Sequence, residues 1–277
     1  MTRVTQLRLP PADPPRPGVL CPGVRVLYTR RAGGVSSGPF GTLNLSYSVG
    51  DDPVAVSRNR SIVLAGLGAG PERLVWMRQV HGAEVAYAPG TPTGLGGVPR
   101  DDGSSGADES PEADAVFTDS PGVAVAALVA DCAPVLLADP VARLVGAAHA
   151  GRPGVAAGVV PALVTAMSRA GADPGRMHAV IGPAICGQCY EVPARMRDEV
   201  AAAVPGSACV TRKGSPGIDL RAGLRAQLTS LGVGQVADDL RCTAESAELF
   251  SYRRDGKTGR FAGLIWLTAG SSDVQRG

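Results

Sequence analysis

The chain has 277 residues, with 27 basic and 25 acidic side chains and a formal net charge of +2 at pH 7. This balance gives no electrostatic basis for binding nucleic acid or an anionic membrane surface, so we expect a small, roughly neutral partner. The six cysteines are too scattered for a disulfide framework, and no signal segment or 18-residue apolar run is found, so we expect a cytoplasmic protein, either a monomer or a small homo-oligomer.

The N-terminal residues are rich in Pro and Arg and carry little apolar pattern. We therefore predict a loosely ordered segment over residues 1–23 and a single domain over residues 24–270, which begins with a strand at Val24. Within that domain, residues 89–111 contain almost no large apolar side chains, which predicts a flexible insertion.

A glycine-rich segment, Gly33–Gly41, follows the first predicted strand. It lacks the GxGxxG order and the Walker lysine, so a tightly turned surface loop is favoured over a phosphate cradle. Asp52 and Pro53 then predict the start of a helix that ends near Leu67. Arg60 lies in a polar cluster of this helix, which in the plainer interpretation is a solvated face.

Residues 74–82 are predicted to form a strand, with residues 84–88 as its antiparallel return. His81 lies at the end of this strand beside a glycine, where side chains tend to face a surface cleft. Taken alone, His81 is typical of an ordinary edge histidine. Its interest comes from the scarcity of histidine, since the chain has only three.

A predicted hairpin brings a cysteine and a histidine together. Val123–Val129 is a continuous apolar run, typical of a strand buried on both faces, and two further apolar runs flank a turn at Asp139-Pro140. If the turn is centred between Pro140 and Val141, Cys132 pairs with His149, with Cβ atoms roughly 4.5 to 5.5 Å apart. Such a pair can bind a metal ion, act as a nucleophile and its base, or be a buried cysteine beside a satisfied histidine.

An alanine-rich stretch from Ala150 to Ala170 is helical in composition, and Pro161 predicts a kink in the helix or its true first turn. A helix that starts just after His149 would direct its N-terminal amides toward the Cys132 and His149 end, a favourable place for an anion.

Cys186 and Cys189 form a lone Cys-x-x-Cys pair. It lacks the second pair that a structural zinc site needs, so we interpret it as structural packing. The C-terminal region predicts a last hairpin, with strands at residues 250–254 and 260–267 around the turn at residues 255–259.

A set of short motifs, in order from about Val24 to Leu267, closely resembles the laccase-domain family, also called multicopper polyphenol oxidase or peptidoglycan editing factor. The motifs are Gly34–Phe40, Leu43–Leu45, Val49–Asp52, Asn59–Arg60, Gln79–Gly82, Ala113–Ala115, Ala130–Cys132, Ala148–Gly151, Gly182–Pro183, Cys189–Val192 and Ser251–Gly256.

The resemblance implies an α+β fold, a single-domain sandwich of mixed β-sheet flanked by helices, similar to the cytotoxic-necrotizing-factor-like cysteine-hydrolase fold. It implies that His81, Cys132 and His149 bind zinc. It also implies phosphorolysis of adenosine, inosine and methylthioadenosine, and deamination of adenosine, so the expected partners are purine nucleosides and phosphate. One departure stands out: the family usually has His-Ala-Gly-Trp-Arg-Gly where this chain has Arg152 and Pro153 after Gly151.

Three ligands leave one zinc position open, as in catalytic zinc sites, where the pKa of bound water falls to about 7. The expected catalytic residues are Cys132, His149, Asp131 and Arg60, with Asp131 orienting a ligand or carrying a proton if the chain turns at Cys132. Asn44, Arg60 and Arg152 are the expected substrate contacts.

Two other functions stay open. A copper oxidase is conceivable, because two histidines, a cysteine and a nearby Met77 form the blue-copper ligand set, although three histidines cannot supply the several ions of a multicopper enzyme. A cysteine hydrolase that acts on a peptidoglycan precursor would use Cys132 as nucleophile and His149 as base.

Overall fold

The structure is a computed structural model that describes residues 18–68, 71–90 and 110–268. The predicted N-terminal segment up to residue 17, and residues 91–109 of the predicted insertion, lie outside the described residues. Residues 18–21, which were also placed in the loosely ordered segment, instead form a strand paired with its neighbour.

The described residues form thirteen strands and six α-helices. The strands are β1 (Gly18–Cys21), β2 (Val24–Tyr28), β3 (Arg73–Val75), β4 (Val85–Tyr87), β5 (Ala115–Thr118), β6 (Val123–Val129), β7 (Ala133–Asp139), β8 (Leu144–Ala150), β9 (His178–Ile181), β10 (Ala208–Val210), β11 (Pro216–Ile218), β12 (Gln235–Asp238) and β13 (Phe261–Leu267). The helices are α1 (Pro53–Gly66), α2 (Arg152–Ala157), α3 (Val159–Arg169), α4 (Ala194–Ala203), α5 (Leu220–Ser230) and α6 (Tyr252–Asp255).

Two mixed sheets make up the centre of the domain. The five-stranded sheet has the order β1-β2-β13-β6-β3, and the six-stranded sheet has the order β12-β9-β7-β8-β5-β4. Apolar side chains from both sheets, such as Val125, Leu136 and Ile265, pack together in one buried cluster. Helices α2, α3 and α5 cover the other face of the six-stranded sheet, and α1 covers that of the five-stranded sheet. The fold is therefore a mixed α+β sandwich in one domain, as predicted.

Burial on both faces explains why the central strands have continuous apolar sequences. Every residue of β6, β7, β8 and β13 is buried. No helix among the described residues is long and apolar enough to cross a membrane.

The predicted hairpin at residues 74–88 is wrong. β3 pairs with β6 in the five-stranded sheet, whereas β4 pairs with β5 in the six-stranded sheet. The segment between β3 and β4 therefore crosses from one sheet to the other, and it carries His81.

The predicted strand at residues 250–254 is also wrong, because residues 252–255 form the short helix α6. Ser251 lies at the N-cap and its hydroxyl accepts a hydrogen bond from the Arg254 amide. Serine in this position favours a helix start over a continued strand.

The alanine-rich stretch contains two helices, because Gly158 adopts a left-handed conformation (φ 83°) between α2 and α3. Pro161 lies in the first turn of α3, as one of the two predicted outcomes required.

Candidate active site

Three potential metal ligands converge where the chain moves between the two sheets. His81 lies on the crossing between β3 and β4, Cys132 lies on the connection from β6 to β7, and His149 lies in β8. Their donor atoms all lie within 4.8 Å of one another. The two imidazole rings contact edge to face, with centroids 4.7 Å apart.

The hairpin register differs from the predicted one by two residues, since Pro134 rather than Cys132 lies opposite His149. Side chains alternate between the faces of a strand, so a shift of two residues keeps Cys132 on the predicted face. Cys132 itself lies just before β7, after Asp131, whose φ of 92° turns the chain. The prediction therefore placed the two side chains together with the wrong pairing.

A buried carboxylate holds two of the three ligands. Asp114 accepts a hydrogen bond from Nδ1 of His149 at 2.8 Å, which leaves Nε2 of that ring for a metal ion. The same carboxylate accepts the backbone amides of Val80, His81 and Gly82 at 3.1, 3.0 and 2.6 Å. These amides wrap around Asp114 and support the left-handed conformation of His81 (φ 63°).

Gly151 allows the ligands to approach each other. A Cβ atom on this residue would lie 2.8 Å from Sγ of Cys132 and 2.9 Å from Cδ2 of His81. Both distances are shorter than a van der Waals contact, so a side chain at this position would displace one ligand or the other.

The electrostatics of the three residues favour a thiolate. Burial disfavours ionisation of Cys132, but the neighbouring imidazoles of His149 and His81 outweigh it and lower the pKa of the thiol. Burial likewise opposes protonation of His149, yet the Cys132 thiolate and Asp114 raise its pKa. A thiolate is the form of cysteine that binds metal or attacks an electrophile.

The donor set suits one metal ion. Bonds of about 2.0 to 2.3 Å place tetrahedral ligand atoms about 3.3 to 3.8 Å apart. The three donor atoms all lie within 4.8 Å of one another, so small side-chain movements would bring them to one ion. One thiolate and two imidazoles are ligands that zinc and copper accept.

The three ligands open onto a cavity of about 610 Å³. This volume lies within the usual range of small-molecule sites. Most charged residues of its lining are arginines, namely Arg60, Arg78, Arg152, Arg253 and Arg260. The lining also includes the aromatic side chains of Tyr47, Tyr190 and Tyr252. The basic lining fits an anionic ligand.

Arg60 and Arg152, both predicted substrate contacts, line this cavity. The Arg60 guanidinium lies over the rings of Tyr47 and Trp76, with centroid distances of 4.4 and 4.5 Å, and its Nε donates to the Leu45 carbonyl. These contacts fix the direction of the guanidinium. Arg152 is the first residue of α2 and lies near Tyr190, where its positive charge opposes the rise in the pKa of that tyrosine caused by burial.

Asn44, the third predicted substrate contact, lies behind the cavity wall. Its side chain is fully buried, donates to the Ser46 carbonyl and to Asp51, and accepts the backbone amides of Ser46 and Arg260. These bonds occupy the amide group and anchor the backbone of Arg260, and the predicted substrate contact of Asn44 stays a prediction.

Asp131 lines the cavity, but its carboxylate is engaged by other segments. It accepts hydrogen bonds from the hydroxyls of Thr243 (2.6 Å) and Ser251 (2.7 Å) and from the Arg253 amide (2.6 Å). Asp114, and not Asp131, is the carboxylate that bonds to His149, and the roles predicted for Asp131 stay predictions.

Two residues of the site were missed. Asp114 was recognised only as part of a motif, and its partner His149 is distant in sequence, so no local spacing indicated the contact. Arg260 was taken as the first residue of the last strand, yet it precedes β13 and lines the cavity near Cys132. Burial lowers the pKa of Arg260, and the negative charge of Cys132 opposes this shift.

The comparisons with known proteins agree with this architecture. The model of the multi-copper polyphenol oxidoreductase laccase family matches residues 25–268. The chain belongs to this family.

Several relatives of this chain are named purine nucleoside phosphorylase. One, from Streptomyces coelicolor, is 53% identical over 245 residues, which cover 88% of this chain and 96% of the relative. Another, from Escherichia coli, is 36% identical over 248 residues and 94% of its length.

Solved structures share the fold. YlmD from Geobacillus stearothermophilus is 34% identical with a TM-score of 0.84, and covers 96% of this chain and 100% of its own. A Neisseria meningitidis protein is 38% identical with a TM-score of 0.79, and the match covers 93% of this chain and 100% of that protein.

Proposed function

We propose that the chain is a zinc-dependent purine nucleoside phosphorylase that also deaminates adenosine, and that it acts on adenosine, inosine and methylthioadenosine. The observation that carries this proposal is the three-ligand centre on the wall of an arginine-lined cavity. Relatives named purine nucleoside phosphorylase, which align over almost their whole length, support it.

His81, Cys132 and His149 would hold the ion, and three protein ligands leave one position open, as in catalytic zinc sites. When bound, zinc supplies a Lewis acid and lowers the pKa of water to near neutrality. Asp114 keeps the Nδ1 proton of His149 directed away from the centre. The thiolate form of Cys132 is favoured by its neighbours before any ion binds.

For phosphorolysis, the arginines would hold phosphate beside the ribose. Arg60 is oriented by two aromatic rings, so it presents its charge with little freedom to lose. Arg152 lines the same cavity near Tyr190. Arg260 is a third candidate, anchored by Asn44 through its backbone. Tyr252 is 62% exposed and lines the cavity, a position that suits stacking on a purine.

For deamination, C6 of the purine would lie at the metal centre. The proton-carrying role expected of Asp131 stays a prediction. Its carboxylate lines the cavity while it bonds to Thr243, Ser251 and the Arg253 amide. This reaction needs no phosphate.

The test is incubation of the purified protein with adenosine, inosine and methylthioadenosine, with and without phosphate, followed by chromatography of the products. With phosphate only, we expect free base and a sugar phosphate, which is ribose 1-phosphate from adenosine or inosine and 5-methylthioribose 1-phosphate from methylthioadenosine. We expect inosine from adenosine under both conditions. Free base without phosphate, or no product at all, would contradict the proposal. His149→Ala should abolish both reactions, whereas His178→Ala should not, because His178 pairs with Ala138, four residues along β7 from Pro134, or roughly 13 Å away.

The same positions disfavour the copper-oxidase alternative. The chain has three histidines, and the structure brings only two of them to the candidate centre. Several copper ions would need more imidazoles than the chain contains.

A cysteine hydrolase is the second candidate, because Cys132, His149 and Asp114 have the order of a nucleophile, its base and the group that orients the base. Alkylation of Cys132, measured by peptide mapping, separates the two functions. A metal-bound thiolate should react only after a chelator is added, whereas a hydrolase nucleophile should react equally without one.

A further inference from the structure

A second cluster of metal-ligating side chains lies outside the candidate active site. The thiols of Cys186, Cys189 and Cys242 and the carboxylate of Glu245 have donor atoms that all lie within 4.8 Å of one another. We propose that these four residues form a structural zinc site that joins two of the loops around the active-site cavity. The proposal does not depend on the proposed function.

In the sequence, Cys186-x-x-Cys189 has no second Cys-x-x-Cys pair, and it was therefore interpreted as structural packing. The structure supplies that pair as Cys242-x-x-Glu245, which ordinary cysteine counting does not reveal. Ligands separated by two residues are the common spacing in structural zinc sites.

Both pairs close the same kind of turn. The amides of Cys189 and Tyr190 donate to the Cys186 carbonyl at 2.9 and 3.0 Å. The amides of Glu245 and Ser246 donate to the Cys242 carbonyl at 3.1 and 2.9 Å. Each turn directs its first and fourth side chains to one point, and the two turns face each other across the cluster.

Contacts of the sulfur atoms join the two turns. The Cys186 amide donates to Sγ of Cys242 at 3.4 Å, which links one turn to the ligand of the other. Sγ of Cys189 lies 3.5 Å from Oε1 of Glu245, and the Arg212 guanidinium contacts the same oxygen at 2.6 Å. Arg212 would offset part of the excess negative charge of three thiolates and a carboxylate around a divalent ion.

The donor set selects the ion. Thiolates bind zinc and copper(I) well and magnesium or calcium poorly, and four protein ligands complete a tetrahedral zinc shell. A closed shell leaves no position for a substrate, so the site would stabilise rather than catalyse. Cys242 is buried, the cysteines of the other turn are half-buried and Glu245 is exposed, so the ion would lie near the surface with its carboxylate ligand on the solvent side.

The two turns adjoin the active site. Ile185 and Tyr190 from the first turn region line the cavity, and Thr243 from the second donates to Asp131. Thr243 also donates its amide to the Ala184 carbonyl, which is the direct backbone link between the loops. An ion bound here would fix the turn that carries Tyr190 relative to Thr243 and Asp131.

The test is zinc content by elemental analysis of protein purified under reducing conditions. We expect about two zinc ions per chain in the wild type, about one in Cys132→Ala, about one in Cys189→Ser and none in the double variant. Cys209→Ser is the matched control, since its thiol contacts the Gly187 carbonyl in the same region but is not among the four ligands. It should keep both ions.

A cobalt measurement keeps the test valid if Cys189→Ser does not fold. Cobalt-loaded Cys132→Ala should show the strong sulfur-to-metal absorption of a three-thiolate site, and Glu245→Gln in that background should shift the visible bands. Equal zinc in the wild type and Cys189→Ser, no thiolate absorption in Cys132→Ala, or a disulfide among the three cysteines in freshly purified protein would each overturn the proposal. If the first site binds no zinc, only the ion that Cys132→Ala removes would be missing, and the second site would still bind one ion.

Discussion

The Asp114 carboxylate lies 2.8 Å from Nδ1 of His149, and both side chains are buried. The oxygen that accepts this hydrogen bond also accepts the His81 amide at 3.0 Å. One atom thus fixes the orientation of one ligand and the backbone of another.

Replacing Asp114 by Asn should weaken zinc binding at the first centre by about 10- to 100-fold, the usual cost of losing a group that orients a metal ligand. Competition with a coloured chelator would measure the affinity. Asp139→Asn is the matched control, because Asp139 is equally buried and accepts backbone amides at the far end of β7. Equal affinity losses in the two variants would indicate a general effect of folding.

Replacing Gly151 by Ala should displace Cys132 or His81, because the new Cβ would lie under 3.0 Å from both side chains. We expect zinc affinity and both activities to fall about tenfold or more, with a smaller effect on the melting temperature. Gly122→Ala is the control, since its Cβ would meet no atom within 4 Å. Unchanged zinc affinity in Gly151→Ala would show that the ligands have room to move.

Replacing Arg60 or Arg152 by Ala should lower the phosphate-dependent rate more than the deamination rate. Loss of one charge-assisted contact costs on the order of 1.5 to 3 kcal/mol, or about 10- to 100-fold. Both rates would be measured over a range of phosphate concentrations, with Arg195→Ala, on the exposed side of α4, as control. Parallel losses would mean that neither arginine contacts phosphate. If Arg152→Ala leaves both rates unchanged while Arg60→Ala lowers the phosphate-dependent rate, Arg60 is the residue that binds phosphate.

Asp139 should make stability depend on pH in the acid range. Burial raises its pKa, but the amides of Asp173, Ala142 and Val141 and the Arg176 guanidinium outweigh this and lower the pKa below 3.8. A carboxylate whose pKa is lowered by folding stabilises the fold at pH values above its pKa in the unfolded chain. That contribution is lost as the pH falls through its pKa in the folded protein.

Asp139→Asn should therefore cost about 1 to 3 kcal/mol at pH 7, and the difference from wild type should shrink below about pH 4. Denaturant unfolding of both proteins at pH 3 and pH 7 would measure it. A difference that stays constant with pH would mean that the charge of Asp139 adds nothing to stability.

The sequence was sufficient for much of the sandwich, because strands buried on both faces leave continuous apolar runs such as Val123–Val129. It was sufficient to bring Cys132 and His149 together despite the incorrect register, because alternation tolerates a shift of two residues. It failed at residues 74–88, where two apolar runs resemble a hairpin although each pairs in a different sheet.

The missed residues share a physical cause. Asp114 contacts His149 across 35 positions, and Cys242 joins Cys186 across 56. Neither contact leaves a periodic or local signal, since both depend on which loops the sheets bring together. Arg260 was missed because a basic residue at a strand start is ordinary until the cavity beside it is seen.

His81 and Cys132 lie on two of the connections that pass between the sheets, one after β3 and the other after β6. An ion bound by both residues would link the two sheets, and it could bind only when the sheets are packed together. An ion that binds only the native chain adds about 2.7 kcal/mol to the free energy of unfolding when the free ion concentration is one hundred times the dissociation constant. Because this link needs both sheets in their native positions, we expect its removal to speed the separation of the layers more than it slows their assembly.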